Sequence, residues 1–289
     1  MSALGRTVDE TSTVVPAVRK GAALGGARAM RTAVELTVFG LFLLVVWQGI
    51  YSFKLMSTFV LPAPVDTLQA LGTALQNLFS GGYVLDATLY TLAEVAAGFG
   101  LAAAAGVALG IIVGDTALGQ RVVMPYVIGL NAMPKIAFAP VFVAWLGFGI
   151  SPKIVMAAFI AFFPIVINTA LGLTSVTANS LLLFRGLEAS RWQTLLKLKI
   201  PGALPSIFAG FKTASSLAVI GAIVGEFLGG SAKGLGELIR ISSQNLETAD
   251  VFAYILILSG VGVLIYAAIA IVETRVVYWG ASSRAARRP

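Results

Sequence analysis

Long apolar stretches separated by shorter polar segments set the pattern of this sequence. Six such stretches, each with few charged residues, lie at roughly 33–53, 84–113, 122–148, 153–175, 204–228 and 251–273. A helix of about 20 residues crosses the hydrocarbon core of a bilayer, which is about 30 Å thick. None of the stretches alternates apolar and polar residues as the strands of a membrane β-barrel do. The pattern therefore predicts an all-α polytopic membrane protein with about six transmembrane helices.

Small residues and one proline add detail to the predicted helices. The second stretch carries a run of glycines and alanines from Gly98 to Gly110, and small side chains let helix backbones approach closely within a membrane. In the third stretch, Pro134 predicts a break, because proline lacks a backbone N–H and restricts the residue before it. Asn131 and Lys135 flank this break, where freed backbone groups must be satisfied by a ligand or by neighbours.

The composition agrees with a membrane protein and excludes several kinds of catalytic site. Of the 289 residues, 58% are hydrophobic and 11% are charged, whereas about 25% of the residues of soluble domains are charged. The chain contains no cysteine and no histidine. Disulfides, thiolate or histidine metal sites and Ser-His-Asp triads are therefore excluded. We expect no catalytic centre, no metal site and no nucleic-acid partner.

The net charge of +7 is interpreted by position, because basic residues accumulate in the cytoplasmic segments of membrane proteins. If the N-terminus is cytoplasmic, 14 of the 20 basic residues lie on the cytoplasmic side. The sequence therefore predicts a multi-pass protein with both termini in the cytoplasm. Residues 1–30 are polar and basic and are expected to form a cytoplasmic arm, and residues 280–289 a cytoplasmic basic tail.

The remaining residues divide into two parts. Residues 31–83 comprise the first span and the largest extracytoplasmic segment, in which Asp66 is expected to cap a short amphipathic helix ending near Phe79. Residues 84–279 form the core domain with the other five spans. That core contains a distinctive loop at 178–205.

This loop, between the fourth and fifth predicted spans, is unusually charged for a connection. Residues 185–199 carry five charged side chains among fifteen, together with large apolar residues at spacings that suit an amphipathic helix. Pro201 follows and predicts the end of that helix. The helix could anchor the chain to lipid phosphates, with Trp192 at the interface. It could equally dock on a soluble partner, because Trp and Arg are common anchors of protein interfaces.

Residues 188–201, E-A-S-R-W-Q-T-L-L-K-L-K-I-P, resemble the EAA loop of ABC-importer permeases. The match is to the branch that serves nitrate, sulfonate, taurine and bicarbonate importers, where the loop typically reads Leu-Gly-Ala-Ser-Arg-Trp-Gln. The resemblance covers roughly residues 59–279 and includes the strings Leu61-Pro-Ala-Pro64 and Trp145-Leu-Gly-Phe-Gly149 in the same order. It places coupling to an ATPase on Leu187, Glu188, Ala189, Ser190, Arg191, Trp192 and Gln193.

The resemblance implies the fold of a type I ABC importer transmembrane domain and a permease subunit in the bacterial cytoplasmic membrane. Two copies, expected to be identical, would form the translocation path for a small solute. An extracytoplasmic substrate-binding protein would deliver that solute. Two ATP-binding subunits would hold ATP and Mg, and the EAA helix would act as a rigid lever between them and the pore. This chain has no GxxxxGK[S/T] phosphate loop, so it is not expected to be an enzyme or to hold a cofactor.

Two residues depart from the family pattern. Glu188 stands where the EAA pattern usually has glycine, which permits a tight turn. Glu94 stands where related permeases often have a basic residue, and a charge within a span usually faces protein or a water-filled cavity. A reversed sign there bears on the charge of the substrate, so the anion preference of the branch is carried over as an expectation only.

Polar residues within the spans are the candidates for the translocation path. Each also has a structural interpretation, because Ser and Thr often bond to their own helix and Asn often bridges two helices. The candidates are Glu94, Asn131, Asn168, Thr169, Ser215 and Ser216.

The alternative function is a stand-alone secondary transporter driven by an ion gradient. Glu94 and Glu226 would supply the buried carboxylates that such a transporter uses, but this function gives no reason for the charged helix at 185–199. An intramembrane enzyme is disfavoured further, because the chain shows no GxSxG elbow.

Overall fold

The computed structural model describes residues 20–229 and 233–279, with side chains described from residue 30 onward. Every regular element in these residues is helical. The α-helices are α1 Lys20–Ser52, α2 Pro64–Phe79, α3 Tyr83–Asp115, α4 Met124–Asn131, α5 Ala139–Leu146, α6 Ile150–Thr174, α7 Ala178–Gly186, α8 Arg191–Thr194, α9 Ile200–Leu228, α10 Leu235–Gln244 and α11 Thr248–Val276. Residues 1–19 of the predicted arm and the predicted tail at 280–289 lie outside the described residues.

The chain divides into two units, Met1–Ser57 and Thr58–Pro289. The first unit contains α1, which extends into the segment predicted as an arm. From Val34 to Val46 its large apolar side chains are exposed, as expected of a helix that faces lipid. The second unit contains all the other helices.

Five of the described helical segments are long and apolar enough to cross a membrane, and a bent pair of helices supplies a sixth. This confirms the all-α fold with about six spans. The bent pair covers Gly119–Asn131 and Lys135–Leu146, whose axes differ by 83°. The break therefore occurs where Pro134 predicts it. The Nζ of Lys135 donates a hydrogen bond to the carbonyl of Asn131 at 2.5 Å and so caps the end of α4.

Close packing of α3, α6 and α9 forms the core of the second unit. Gly98 of α3 and Gly221 of α9 both face Ala157 of α6, and a Cβ atom at Gly98 would lie 2.6 Å from the Cβ of Ala157. Gly100, two residues from Gly98, faces open space. Small residues therefore allow close approach, as predicted, but only those on the inward face of α3 do so.

A second apolar cluster joins α2, α3, α10 and α11, with Ala74, Val84 and Leu235 among its buried residues. The prediction that Asp66 caps α2 was wrong. The helix begins at Pro64, and Asp66 lies within its first turn, because proline suits the first helical position, where no N–H is needed.

Candidate functional site

The coupling segment, defined here as residues 178–199, is built from two short helices and a turn. Thr177 caps α7, and its hydroxyl oxygen accepts a hydrogen bond from the N–H of Ser180 at 3.3 Å. The last turn of α7 closes with the N–H of Glu188 donating to the carbonyl of Arg185 at 3.0 Å. Four residues, 187–190, then separate α7 from α8, which begins at Arg191.

Glu188 provides the turn that glycine usually provides in the family. Its φ is +52°, in the left-handed region, which costs a non-glycine residue about 1–2 kcal/mol. The N–H of the next residue, Ala189, donates to the carbonyl of Phe184 at 3.0 Å. The turn is therefore made by a residue other than glycine in a left-handed conformation, which is locally strained.

A capping box fixes the start of α8. The N–H of Gln193 donates to the Oγ of Ser190 at 3.2 Å, and the N–H of Ser190 donates to the Oε1 of Gln193 at 2.8 Å. The sequence Ser-x-x-Gln carries this signal, which our sequence analysis missed. The box orders the two residues between its ends, Arg191 and Trp192.

The prediction of a short helix that ends at Pro201 was wrong. One continuous helix runs from Arg191 to Leu228 over 38 residues. It includes a widened, π-helical turn at Leu195–Lys199. That turn directly precedes Pro201, which stands in the first turn of α9, so it can absorb the distortion caused by the missing proline N–H. Residues 191–199 of the coupling segment are therefore a direct extension of a core helix.

The coupling segment presents apolar and cationic groups on its surface. Leu187 and Trp192 are 68% and 71% exposed, while Ala189 is half-buried and the other four predicted coupling residues are exposed. Beside them lies a cleft of about 530 Å³ lined in part by Arg185, Arg191, Asp115 and Lys199.

The cleft is lined by more basic side chains than acidic ones. Lys199 pairs with Asp115 at 2.7 Å, which ties the segment to the end of α3. Among the described residues, no carboxylate pairs with Arg185 or Arg191. Arg185 was not among the predicted coupling residues, and the cleft that gives it a role depends on tertiary packing.

A buried charge cluster lies toward the other ends of the same core helices, and it consists of Glu94, Lys153 and Glu226. All three side chains are fully buried. The Nζ of Lys153 on α6 is 3.2 Å from an Oε of Glu94 on α3. One Oε of Glu226 on α9 accepts a hydrogen bond from the hydroxyl of Thr91 at 2.6 Å. The cluster therefore links the three helices of the core.

The same cluster holds the start of α10. The N–H of Gly236 donates to the other Oε of Glu226, and the N–H of Leu235 donates to the hydroxyl of Thr91 at 2.9 Å. The Nζ of Lys153 lies 3.3 Å from the carbonyl oxygen of Lys233, to which it donates. Buried donors from the segment at 233–236 are satisfied in this way, as polar groups inside a protein must be.

The predicted path residues occupy different environments. Glu94, Thr169 and Ser215 are at most 1% exposed, inside the packed unit. The three others retain exposed surface: Asn131 ends α4, Asn168 is half-buried on α6, and Ser216 is exposed on α9. The amide of Asn168 donates to the carbonyl of Pro164 at 2.8 Å, and the Oγ of Ser215 donates to that of Lys212 at 2.8 Å. The structure does not bring the six together at one place.

Comparisons with known proteins match this architecture. The family described as "Binding-protein-dependent transport system inner membrane component" matches residues 106–278. The formylaminopyrimidine transport permease protein ThiX of Halalkalibacterium halodurans is 34% identical over 86% of this chain and 96% of its own length. The putative aliphatic sulfonates transport permease protein SsuC of Bacillus subtilis is 31% identical over 82% of this chain and 84% of its own.

A chain of the MetNI methionine ABC transporter in an inward-facing conformation shares the fold, with a TM-score of 0.59 and 20% identity over 67% of this chain and 96% of that chain. The matched family range contains the coupling segment as well as Lys153 and Glu226. The chain belongs to the binding-protein-dependent transport system inner membrane component family, the permeases of ABC importers.

Proposed function

We propose that this chain is the permease subunit of an ATP-driven importer and that its coupling segment docks on a separate ATPase, which holds ATP and Mg. Two copies of the chain form the translocation path, and an extracytoplasmic binding protein supplies the solute. The coupling segment and both termini face the cytoplasm. The observation that carries this proposal is the continuous helix from Arg191 to Leu228.

This helix suits the transmission of force over a long distance. A helix of 38 residues is about 57 Å long at the usual rise per residue. Its α9 part packs closely against α6 through Gly221 and Gly225, so a displacement at Trp192 moves the core rather than a flexible loop. ATP-driven closure of the ATPase dimer would thereby shift the permease between two states by differential binding.

Surface chemistry supports a protein partner at the coupling segment. Trp and Arg are enriched at the energetic centres of protein interfaces, and Trp192 is exposed beside Arg191. The capping box limits the conformational freedom of both residues before binding, which reduces the entropy lost when a partner docks. Arg185 adds a second cation without a carboxylate partner among the described residues.

We propose that the path follows the surfaces that remain exposed, with Asn131, Asn168 and Ser216 as its candidates. Glu94, Thr169 and Ser215 instead stabilise the core of one copy. Lys135 lies half-buried at the break in the third span, and its ammonium favours an anionic solute. The names of the two relatives given above include a pyrimidine and a sulfonate. We therefore expect added sulfonates to inhibit uptake of the importer's solute, and we expect Lys135→Gln to weaken that inhibition. The measurement is the sulfonate concentration that gives half-inhibition.

The docking proposal is tested by co-purification. The tagged chain is isolated from its native membranes in mild detergent, and the retained proteins are quantified by mass spectrometry. We expect an ATPase with a phosphate loop at about equal amount, and at least a tenfold loss of it from the double variant Arg191→Ala/Trp192→Ala. Trp145→Ala is the matched control, because Trp145 is 75% exposed but lies on α5.

Two outcomes would contradict the proposal. One is retention of the ATPase at the normal level by a folded double variant. The other is uptake into liposomes by the chain alone without ATP, which would favour a secondary transporter. Elution of each variant at the normal position in size-exclusion chromatography establishes that it is folded.

A further inference from the structure

The buried charge cluster contains more acidic groups than its basic group can neutralise. Glu94, Glu226 and Lys153 all have fully buried side chains. Lys153 supplies one ammonium group for two carboxyl groups. Burying a charge without compensation is unfavourable, so an excess negative charge at this place would be strongly destabilising. A second positive charge is therefore needed to balance the second carboxyl group.

The hydrogen bonds show where that charge is needed. Both oxygens of Glu226 already accept hydrogen bonds, from Thr91 and from the N–H of Gly236. One Oε of Glu94 forms an ion pair with the Nζ of Lys153 at 3.2 Å, but no described donor makes a well-aligned hydrogen bond to either oxygen of Glu94. Thr91 and Glu94 lie three residues apart on one face of α3, and the hydroxyl of Thr91 contacts Glu226 at 2.6 Å, so the carboxyl groups of Glu94 and Glu226 lie together in the same buried cluster. A proton on one of them would therefore complete a hydrogen bond between the two.

No other described neighbour of Glu94 and Glu226 supplies the second positive charge, so a proton can supply it. The ammonium of the cluster belongs to Lys153 of α6, whose Nζ lies 3.2 Å from an Oε of Glu94. From α10 the described contact to Glu226 is the backbone N–H of Gly236. The ammonium of Lys233 lies 6.0 Å from the ring centroid of Tyr90, and Lys153 lies 4.9 Å from the same ring. Among the described residues, Lys233 forms no ion pair with Glu94 or Glu226.

We propose that Glu94 and Glu226 share one proton, which makes the cluster a buried proton-binding site between α3 and α9. The proton comes from water and is held as the O–H of one carboxyl group, which donates to the carboxylate of the other. Lys153 neutralises the single remaining negative charge. This proposal does not depend on the coupling segment or on the identity of the solute.

The shared proton supplies the second positive charge of the cluster and bonds α3 to α9. Loss of the proton would leave two carboxylates opposed by one ammonium, and the repulsion would act between the two helices.

Infrared spectroscopy of the purified chain in lipid nanodiscs at neutral pH tests the proposal. A protonated carboxyl group has a carbonyl band that is distinct from the bands of carboxylates and amides. We expect the unaltered chain to show this band. In Glu94→Gln the intensity of the band should fall by the amount that one carboxyl group contributes. Glu226→Gln should lose it as well, because Glu94 then pairs with Lys153 alone.

Glu273→Gln is the matched control, because Glu273 pairs with Lys212 at 2.7 Å, one carboxylate for one ammonium, and we expect no loss of the band. The amide bands of each variant report whether it has folded. Glutamine at position 94 can still donate to Glu226, so Glu94→Gln should fold even where Glu226→Gln does not. Identical carboxyl bands for the unaltered chain and a folded Glu94→Gln variant would overturn the proposal.

Discussion

The coupling segment and the buried charge cluster lie toward opposite ends of α9, and the two regions differ in almost every physical respect. Trp192 at one end is 71% exposed, whereas Glu226 at the other is fully buried. The coupling segment keeps its shape through local hydrogen bonds and one strained residue, Glu188. The cluster joins residues that are distant in sequence through buried ionic contacts. Removing one partner leaves the other buried without its counter-charge.

The contrast between the two regions agrees with the separate roles that we propose for them. A surface that binds and releases a partner must be ordered without being buried, and local capping achieves that. A junction between core helices must resist separation, and buried polar groups that satisfy one another achieve that. Substitutions in the cluster should therefore have the larger effects on stability, and those at Arg191 and Trp192 should change partner binding.

The largest effect is expected from Lys153→Met. This substitution leaves two buried carboxyl groups without their ammonium, and breaking a buried ion pair from one side costs about 3–5 kcal/mol. Chemical unfolding in lipid nanodiscs measures the loss. Lys212→Met is the control, because the Lys212–Glu273 pair is 21% and 12% exposed and should lose less. Equal losses from the two variants would remove the distinction between the cluster and an ordinary interhelical pair.

A smaller loss is expected from Gly98→Val, since the new side chain would collide with Ala157 on α6. Overpacking of this kind costs about 1–3 kcal/mol. Gly100→Val introduces the same residue into the same helix at a position facing open space, so its unfolding free energy should change by no more than about 0.5 kcal/mol. A Gly98→Val variant as stable as Gly100→Val would show that the core tolerates separation of α3 from α6.

The smallest effect is a gain from Glu188→Gly. Glycine adopts a positive φ without strain, so the coupling segment should be stabilised by about 1 kcal/mol. Glu188→Ala removes the same carboxylate but keeps the strain, and it should show no such gain. Hydrogen exchange of the Ala189 amide reports on this turn directly. A gain of equal size in both variants would assign the effect to charge instead of backbone conformation.

Much of the fold follows from the sequence because its causes are local. Apolar length predicts the spans, and Pro134 predicts the break between α4 and α5. The same logic fails at Pro164 and Pro205, which lie inside α6 and α9. Whether a proline breaks a helix in a membrane depends on what replaces the lost hydrogen bond. Neighbouring helices and side chains decide that, and the sequence does not show them.

The candidate site divides in the same way. The predicted coupling residues are contiguous in sequence and resemble a family motif, and their role stays a prediction; the continuity of the helix through Pro201 could not be predicted from the sequence. The partners of Glu94 could not be predicted. Lys153 and Glu226 lie on other helices, and only the packing of α6 between α3 and α9 brings the three together.

We propose that the coupling segment drives the core because its residues 191–199 form one rigid helix with α9. The most direct test replaces two exposed residues of the widened turn, Leu196→Gly/Lys197→Gly, which should make this part of the helix flexible at a cost of about 1 kcal/mol per residue. Leu196→Ala/Lys197→Ala removes the same side chains but keeps the helix. The measurement is solute transported per ATP hydrolysed in proteoliposomes that contain the complete importer. We expect the glycine variant to retain the ATPase while this ratio falls at least tenfold below that of the alanine variant. Equal ratios in the two variants would contradict the claim.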